Sequence, residues 1–126
     1  MPFAKEIMGG GFSPGQARAI GGTTNTALAA TGSTQTDAAL VTAGQTIVTG
    51  ADGTKGVILP AAEVGDFVVL INNSASALKV YPPTGAAINV PGTSLGAANT
   101  AYSHTTFAGC IYRCFNSTQW VVLKGS

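Results

Sequence analysis

The chain has 126 residues, the length of one domain. Its 6 Lys and Arg against 5 Asp and Glu leave a formal charge of +1, and charged residues make up only 9% of the chain, against ~25% in an average soluble protein. The cations Lys5, Arg18, Lys55, Lys79, Arg113 and Lys124 are scattered, so no basic stripe offers direct nucleic-acid binding, and no run approaches the ~18 apolar residues of a membrane span.

Much of the apolar content is Ala, and aromatic residues make up only 7% of the chain, which predicts a thin core and a weakly solvated surface. A chain of this kind is expected to hide surface in an oligomer, because a small lone domain buries too little of itself. The start of the chain has no basic segment followed by an apolar run, so no signal peptide is expected and the protein is expected to be made in a cytoplasm.

In chain order, Phe3, Ile7 and Met8 precede three glycines, Gly9, Gly10 and Gly11, which read as a hinge. Ser13 and Pro14 form a helix start, and residues 15–20 supply about two turns before Gly21 and Gly22 stop them. So short a helix needs a partner surface for Phe12 and Ile20. Residues 23–36 are small and hydroxyl-rich; they read as a linker, or as a strand that can be added to a sheet edge. Residues 1–36 are therefore expected to be an arm and residues 37–126 a β-rich body.

From Ala38 onward the pattern is strand-like. Ala39, Leu40 and Val41 precede Gly44, and Thr46, Ile47 and Val48 follow it; Asp52-Gly53 is a turn signal of the hairpin kind. Gly56 to Leu59 ends at Pro60, and Phe67 to Ile71 is a continuous apolar run expected to be a central strand. Ala77 to Tyr81 alternates, with Leu78 and Val80 on one face and Lys79 and Tyr81 on the other. A short strand is expected at Ile88, Asn89 and Val90, and a polar one within Thr100 to Phe107. Cys110 to Phe115 and Gln119 to Leu123 form a last hairpin, with Trp120 and Val122 on one face and Val121 and Leu123 on the other. Apolar residues on both faces imply packing on both sides. No fixed-period repeat is visible, which argues against a solenoid or propeller. The expected fold class is all-β, a small β-sandwich or barrel with an extended N-terminal arm carrying one short helix.

Candidate chemistry is sparse. The single histidine, His104, has no acid beside it in sequence to orient it as a general base, so it reads as a solvated or interface residue. With Cys110 and Cys114 it makes three possible metal donors, but none of the spacings is that of a zinc site. On one strand the two cysteines share a face about 13 Å apart at ~3.3 Å per residue, too far to bridge, so they are expected to be free buried thiols. Glu63 and Asp66 flank Gly65 and could be paired carboxylates, but they read as a solvated turn before an apolar run, as Asp52 does. The three consecutive glycines lack the Gly-Lys-Ser/Thr ending of a phosphate loop. Asn72-Asn73-Ser74 and Asn116-Ser117-Thr118 fit the glycosylation pattern, but with no signal peptide expected they read as turns. Tyr81, Tyr102, Tyr112 and Trp120 could make a sugar platform; dispersed through alternating strands, they read as core or interface packing. No catalytic, cofactor-binding or metal residue is therefore assigned.

Several stretches carry a family resemblance. Residues 38–44 (AALVTAG), 56–66 (GVILPAAEVGD), 77–89 (ALKVYPPTGAAIN) and 117–120 (STQW) resemble tailed-phage virion proteins, and residues 13–20 (SPGQARAI) resemble the leader of small phage structural proteins with such a body. The resemblance covers most of the chain; the pair Cys110 and Cys114 departs from the usual pattern. It implies a capsid decoration (cement) protein, on the virion surface and assembled in the host cytoplasm, that stabilises the head by bridging major capsid subunits. It further implies a homo-oligomer, a trimer, that uses a terminal arm on its neighbours, with neither catalytic residues nor cofactors. On that basis Phe3, Ile7, Phe12, Arg18, Ile20 and Trp120 are the expected interface residues. The alternative implied is a receptor- or glycan-binding module of a head or tail fibre, which requires Tyr81, Tyr102 or Trp120 to face solvent.

Overall fold

The structure, a computed structural model, describes residues 23–61, 64–91, 96–116 and 118–124. The glycine hinge, the short helix and the candidates Phe3, Ile7, Phe12, Arg18 and Ile20 lie outside the described residues, as does Glu63. Among the described residues the chain is all-β, with no helix. Its strands are β1 (Thr24–Ala29), β2 (Ala39–Leu40), β3 (Gln45–Thr49), β4 (Gly56–Ile58), β5 (Phe67–Asn72), β6 (Leu78–Tyr81), β7 (Ala87–Asn89), β8 (Tyr102–His104), β9 (Gly109–Asn116) and β10 (Gln119–Lys124).

The strands form two mixed sheets. One has six strands in the order β1-β3-β5-β9-β10-β7, the other four in the order β2-β4-β6-β8. Up to β8 the chain alternates between them. β1, β3 and β5 run parallel in the larger sheet, and β2, β4 and β6 run parallel in the smaller. The first six strands therefore make three circuits, each leaving one strand in each sheet. This winding leaves no fixed period in the sequence. The circuits differ in length, with Thr24 beside Gln45 and Gln45 beside Val69 in one sheet, but Ala39 beside Val57 and Val57 beside Val80 in the other.

The winding also changes the role of Asp52-Gly53. It joins β3 to β4, which lie in different sheets, so it is a crossing turn and not a hairpin. Gly53 takes φ +92°, and the Asp52 carboxylate accepts from Thr54 N (2.9 Å), Thr54 Oγ1 (2.7 Å) and Lys55 N (3.0 Å). The Thr54 hydroxyl, followed by these backbone donors, holds the Asp52 carboxyl down at about 2. The expected hairpin is β9–β10, antiparallel, with Asn116 Oδ1 accepting from Thr118 N at 2.9 Å and Thr118 Oγ1 at 3.0 Å. β5 is central, as its apolar run predicts. Within Thr100 to Phe107 only Tyr102–His104 is a strand; Phe107 sits in a turn at φ 53°.

Residues 23–36 pack with the body. The sheet-edge addition foreseen for them is made to this chain's own β3. Ala30 is in the core, Tyr81 Oη donates to the Ser33 carbonyl (3.0 Å), and Gln35 Nε2 donates to the Pro82 carbonyl (2.8 Å). One hydrophobic cluster draws on both sheets: Val48, Leu70, Tyr112, Trp120 and Val122 from the larger, Val57, Leu78 and Val80 from the smaller. Inner positions of β5, β9 and β10 feed it by strict alternation, which leaves their other residues facing outward.

Candidate functional site

The outward face of the larger sheet is the most unusual surface described. On β5 it presents Phe67, Val69 and Ile71; on β9, Ile111, Arg113 and Phe115; on β10, Val121 and Leu123. Register brings them together. Val69 lies beside Ile111, and Ile111 beside Leu123; Phe67 lies beside Arg113, and Arg113 beside Val121. Exposure among the largest of these runs from 40% at Ile111 to 58% at Phe115, too high for a face already covered. Among the described outward positions of β5, β9 and β10, Arg113 carries the one charge. The sheet thus turns an apolar strip to the outside, and contiguous strips of this kind mark contact surfaces.

The β1 edge of the same sheet is differently built. β1 ends the sheet with an uncharged sequence, but its pairing with β3 shifts register between Asn25 and Leu28, and the Ala27 N–H is taken by Asn25 Oδ1 at 3.1 Å. A bulge with a spent donor makes a poor template for a further strand. Between the strip and the β1 edge, the strip is therefore the better contact surface.

Inside, the structure gathers polar groups that the sequence leaves apart. His104 is fully buried, which corrects its reading as a solvated or interface residue. Its Nε2 lies 2.6 Å from the Ala108 carbonyl and its Nδ1 2.7 Å from Tyr112 Oη. A carbonyl only accepts, so Nε2 carries the proton and donates; Nδ1 of the neutral ring then accepts from the Tyr112 hydroxyl. Burial pushes His104 below its usual value, partly opposed by the Ala108 hydrogen bond. Burial drives the Tyr112 hydroxyl well above its own, with smaller contributions from Cys110 and Tyr102.

Asn72, also fully buried, directs its amide nitrogen at the carbonyls of Ser76 (2.9 Å), His104 (3.4 Å) and Thr105 (3.3 Å). Its Oδ1 has no hydrogen-bond partner. Asn72 and Tyr112 belong to the larger sheet and His104 to the smaller, so these bonds tie the two sheets across the core. A ring held neutral by two bonds and sealed from solvent is a fastening, not an exposed base.

The other candidates fall as follows. Cys110 and Cys114 are buried on the inner face of β9 and are not joined in a disulfide, as their spacing predicts. Burial, then Asp66, raises the Cys114 thiol. Asp66 is exposed at the start of β5. No group of three or more His, Cys, Asp or Glu among the described residues could hold a metal ion. Trp120, expected at an interface, is only 1% exposed and belongs to the core, because its inner position in β10 packs it between the sheets. Tyr112 and Tyr81 are buried and Tyr102 is half-buried, edge-on to Tyr112 at 6.2 Å. The aromatic set is packing, not a platform.

Comparison with known protein families, with curated proteins and with solved structures finds no match for this chain.

Proposed function

We propose that this protein is a structural component of a tailed-phage virion, a capsid decoration protein that stabilises the head by bridging major capsid subunits. In this reading the body is a small β-sandwich whose two sheets close on the shared core, and the working unit is a homotrimer. The observation that carries the reading is the apolar outward strip of β5, β9 and β10, a surface with one described charge that gains by being covered. Residues 1–22 add Phe3, Ile7, Phe12 and Ile20, with Arg18 available to an acidic neighbour. Each large apolar side chain buried on assembly contributes ~1.5–3 kcal/mol before ordering costs. Repeated over a lattice, such contacts raise the work of separating capsomers. The fibre reading needs an exposed aromatic groove, and the burial of Tyr81 and Trp120 weighs against it.

The test is quantitative mass spectrometry of particles carrying the protein, together with re-addition of the purified chain to particles that lack it. A decoration role expects a copy number that scales with the number of capsid subunits, saturable re-binding and a gain in heat resistance. Sedimentation of the purified chain checks the trimer. A few copies per particle, or re-binding with no gain in stability, would overturn the role.

A further inference from the structure

We propose that the outward strip of the larger sheet is self-complementary: two copies of this chain pack face to face through it, about a two-fold axis that runs along the row Val69–Ile111–Leu123. The pairing does not depend on the virion role. A trimer closed through other surfaces keeps one strip on each subunit, and pairing of strips joins such trimers to one another. Three observations carry it.

The first is register. Val69, Ile111 and Leu123 form one cross-strand row, with Phe67, Arg113 and Val121 in the row on one side and Ile71 beside Gly109 on the other. A two-fold axis along the central row sets each of its members against its own copy and exchanges the two flanking rows. Phe67 then meets Ile71 of the second copy, and Arg113 meets Gly109. The same operation carries Phe115, at one end of β9, toward the turn before the other end, which holds Phe107. These two rings are 58% and 64% exposed. Of the exposed large hydrophobic residues described, only Leu40 and Val64 are left out of the pairing.

The second is charge. Arg113 is the one charge on the described outward positions of β5, β9 and β10. An axis along β9 would stack Arg113 on its own copy, and a threefold gathering three strips would bring three of them together. The row axis keeps the two arginines four residues apart along the strands, about 13 Å. That exceeds the screening length of ~8 Å at physiological salt. It also offers Arg113 a place: a Cβ built on Gly109 would meet Ile71 Cγ1 at 3.7 Å, an ordinary contact, so the backbone there is open to an incoming side chain. The arginine stem can lie on apolar surface there while its head reaches the rim.

The third is area. Phe67, Ile71, Ile111, Phe115 and Leu123 are 40% to 58% exposed, and with aromatic side chains of ~150–250 Å² each they leave roughly 450 Å² open. Gln45 and Ile47 of β3 continue the central row and the Ile71 row. With them, Arg113 and Phe107, the face reaches roughly 800 Å², the share each partner gives to a standard interface. Two sheet faces pack about 10 Å apart with strands within about 30° of alignment, so the pairing needs no change of backbone.

The experiment is velocity sedimentation of the full chain as wild type, Ile111→Glu and Ile111→Lys. Each variant alone should show half the wild-type mass with circular dichroism unchanged, because like charges meet on the axis. An equal mixture of the two should regain the wild-type mass, since position 111 faces only itself. Wild-type mass in either variant alone overturns the proposal. So does a mixture that stays at half mass, which would assign the strip to a different surface. A second measurement needs no variant: Phe67 and Ile71 lie about 13 Å apart on one strand, too far for a nuclear Overhauser contact within one molecule. Wild type at pairing concentration should show that contact, losing it on dilution, and its absence overturns the register. Re-binding to particles by a chain that never pairs would sink this inference alone, and pairing without re-binding would sink the virion role alone.

Discussion

His104 is the only histidine in the chain, so between pH 5.5 and 7.5 no other side chain of ordinary acidity titrates. Its folded value lies below its ordinary 6.5 because burial disfavours the imidazolium. Below 6.5 the unfolded chain therefore binds more protons than the folded one, and stability is lost as pH falls toward the folded value. The loss is at most about 1.4 kcal/mol per pH unit. Urea unfolding at pH 7.5 and 5.5 should show the decline in wild type and a flat response in His104→Gln, whatever that variant's absolute stability. Equal slopes would mean that the ring does not stay neutral in the fold. Tyr112→Phe removes the donor to Nδ1 and strands a buried acceptor, so the same titration at pH 7.5 should register a loss of ~1–3 kcal/mol. The thiols make a third check at this scale. Cys110 and Cys114 are buried in separate inner positions of β9, so both should resist a thiol reagent in the native protein and react once denatured. A Cys110–Cys114 bond found by mass spectrometry would contradict the strand geometry.

At the scale of elements, what the sequence discloses depends on how local the pairing is. The β9–β10 hairpin was legible because both strands alternate and the turn residues Asn116 and Thr118 lie between them. β5 was legible as central, since its run is apolar on both faces; the outward half of that run, Phe67, Val69 and Ile71, proves to be the strip. The winding of β1 to β6 was not legible. Parallel partners meet only after a circuit through the other sheet, and circuits of unequal length leave no period to detect. The His104–Tyr112–Asn72 fastening was hidden for the same reason: its members come from three strands and no spacing announces them. Even so, Tyr102 and His104 stand two apart, the spacing of a shared strand face, and that offered a signal. Gly56 is a single-residue test of the winding. It bonds to Thr31 across a bridge and lies against β6, where an added Cβ would meet the Lys79 carbonyl at 2.6 Å and the Tyr81 ring at 2.9 Å. Backbone cannot yield as a side-chain tip does, so Gly56→Ala should cost ~1–3 kcal/mol. Gly50→Ala, at φ +75° but in open space, is the control for backbone strain alone. A neutral Gly56→Ala would mean that β4 and β6 do not pack this closely.

The whole molecule stands or falls on whether two sheets behave as one body. They are built by one alternating chain, share one hydrophobic cluster and are tied by hydrogen bonds from Asn72 and Tyr112 to His104 and its neighbours. A circuit cannot release one strand without freeing its partner in the other sheet. Unfolding should therefore be a single cooperative transition. Trp120 makes this measurable: it is the only tryptophan, it lies in the core on β10, and its fluorescence reports the larger sheet's inner face. Far-ultraviolet circular dichroism reports both sheets together. The two signals should give coincident midpoints and slopes in urea. Refolding should be slow for a chain of this length, in the millisecond-to-second range or beyond, because the parallel pairs join residues far apart in sequence and each circuit closes a loop before its contacts form. Fluorescence that changes at a different denaturant concentration from the dichroism would show that the sheets separate before they melt. The core would then be two cores, and the inter-sheet fastening at His104 would not hold them.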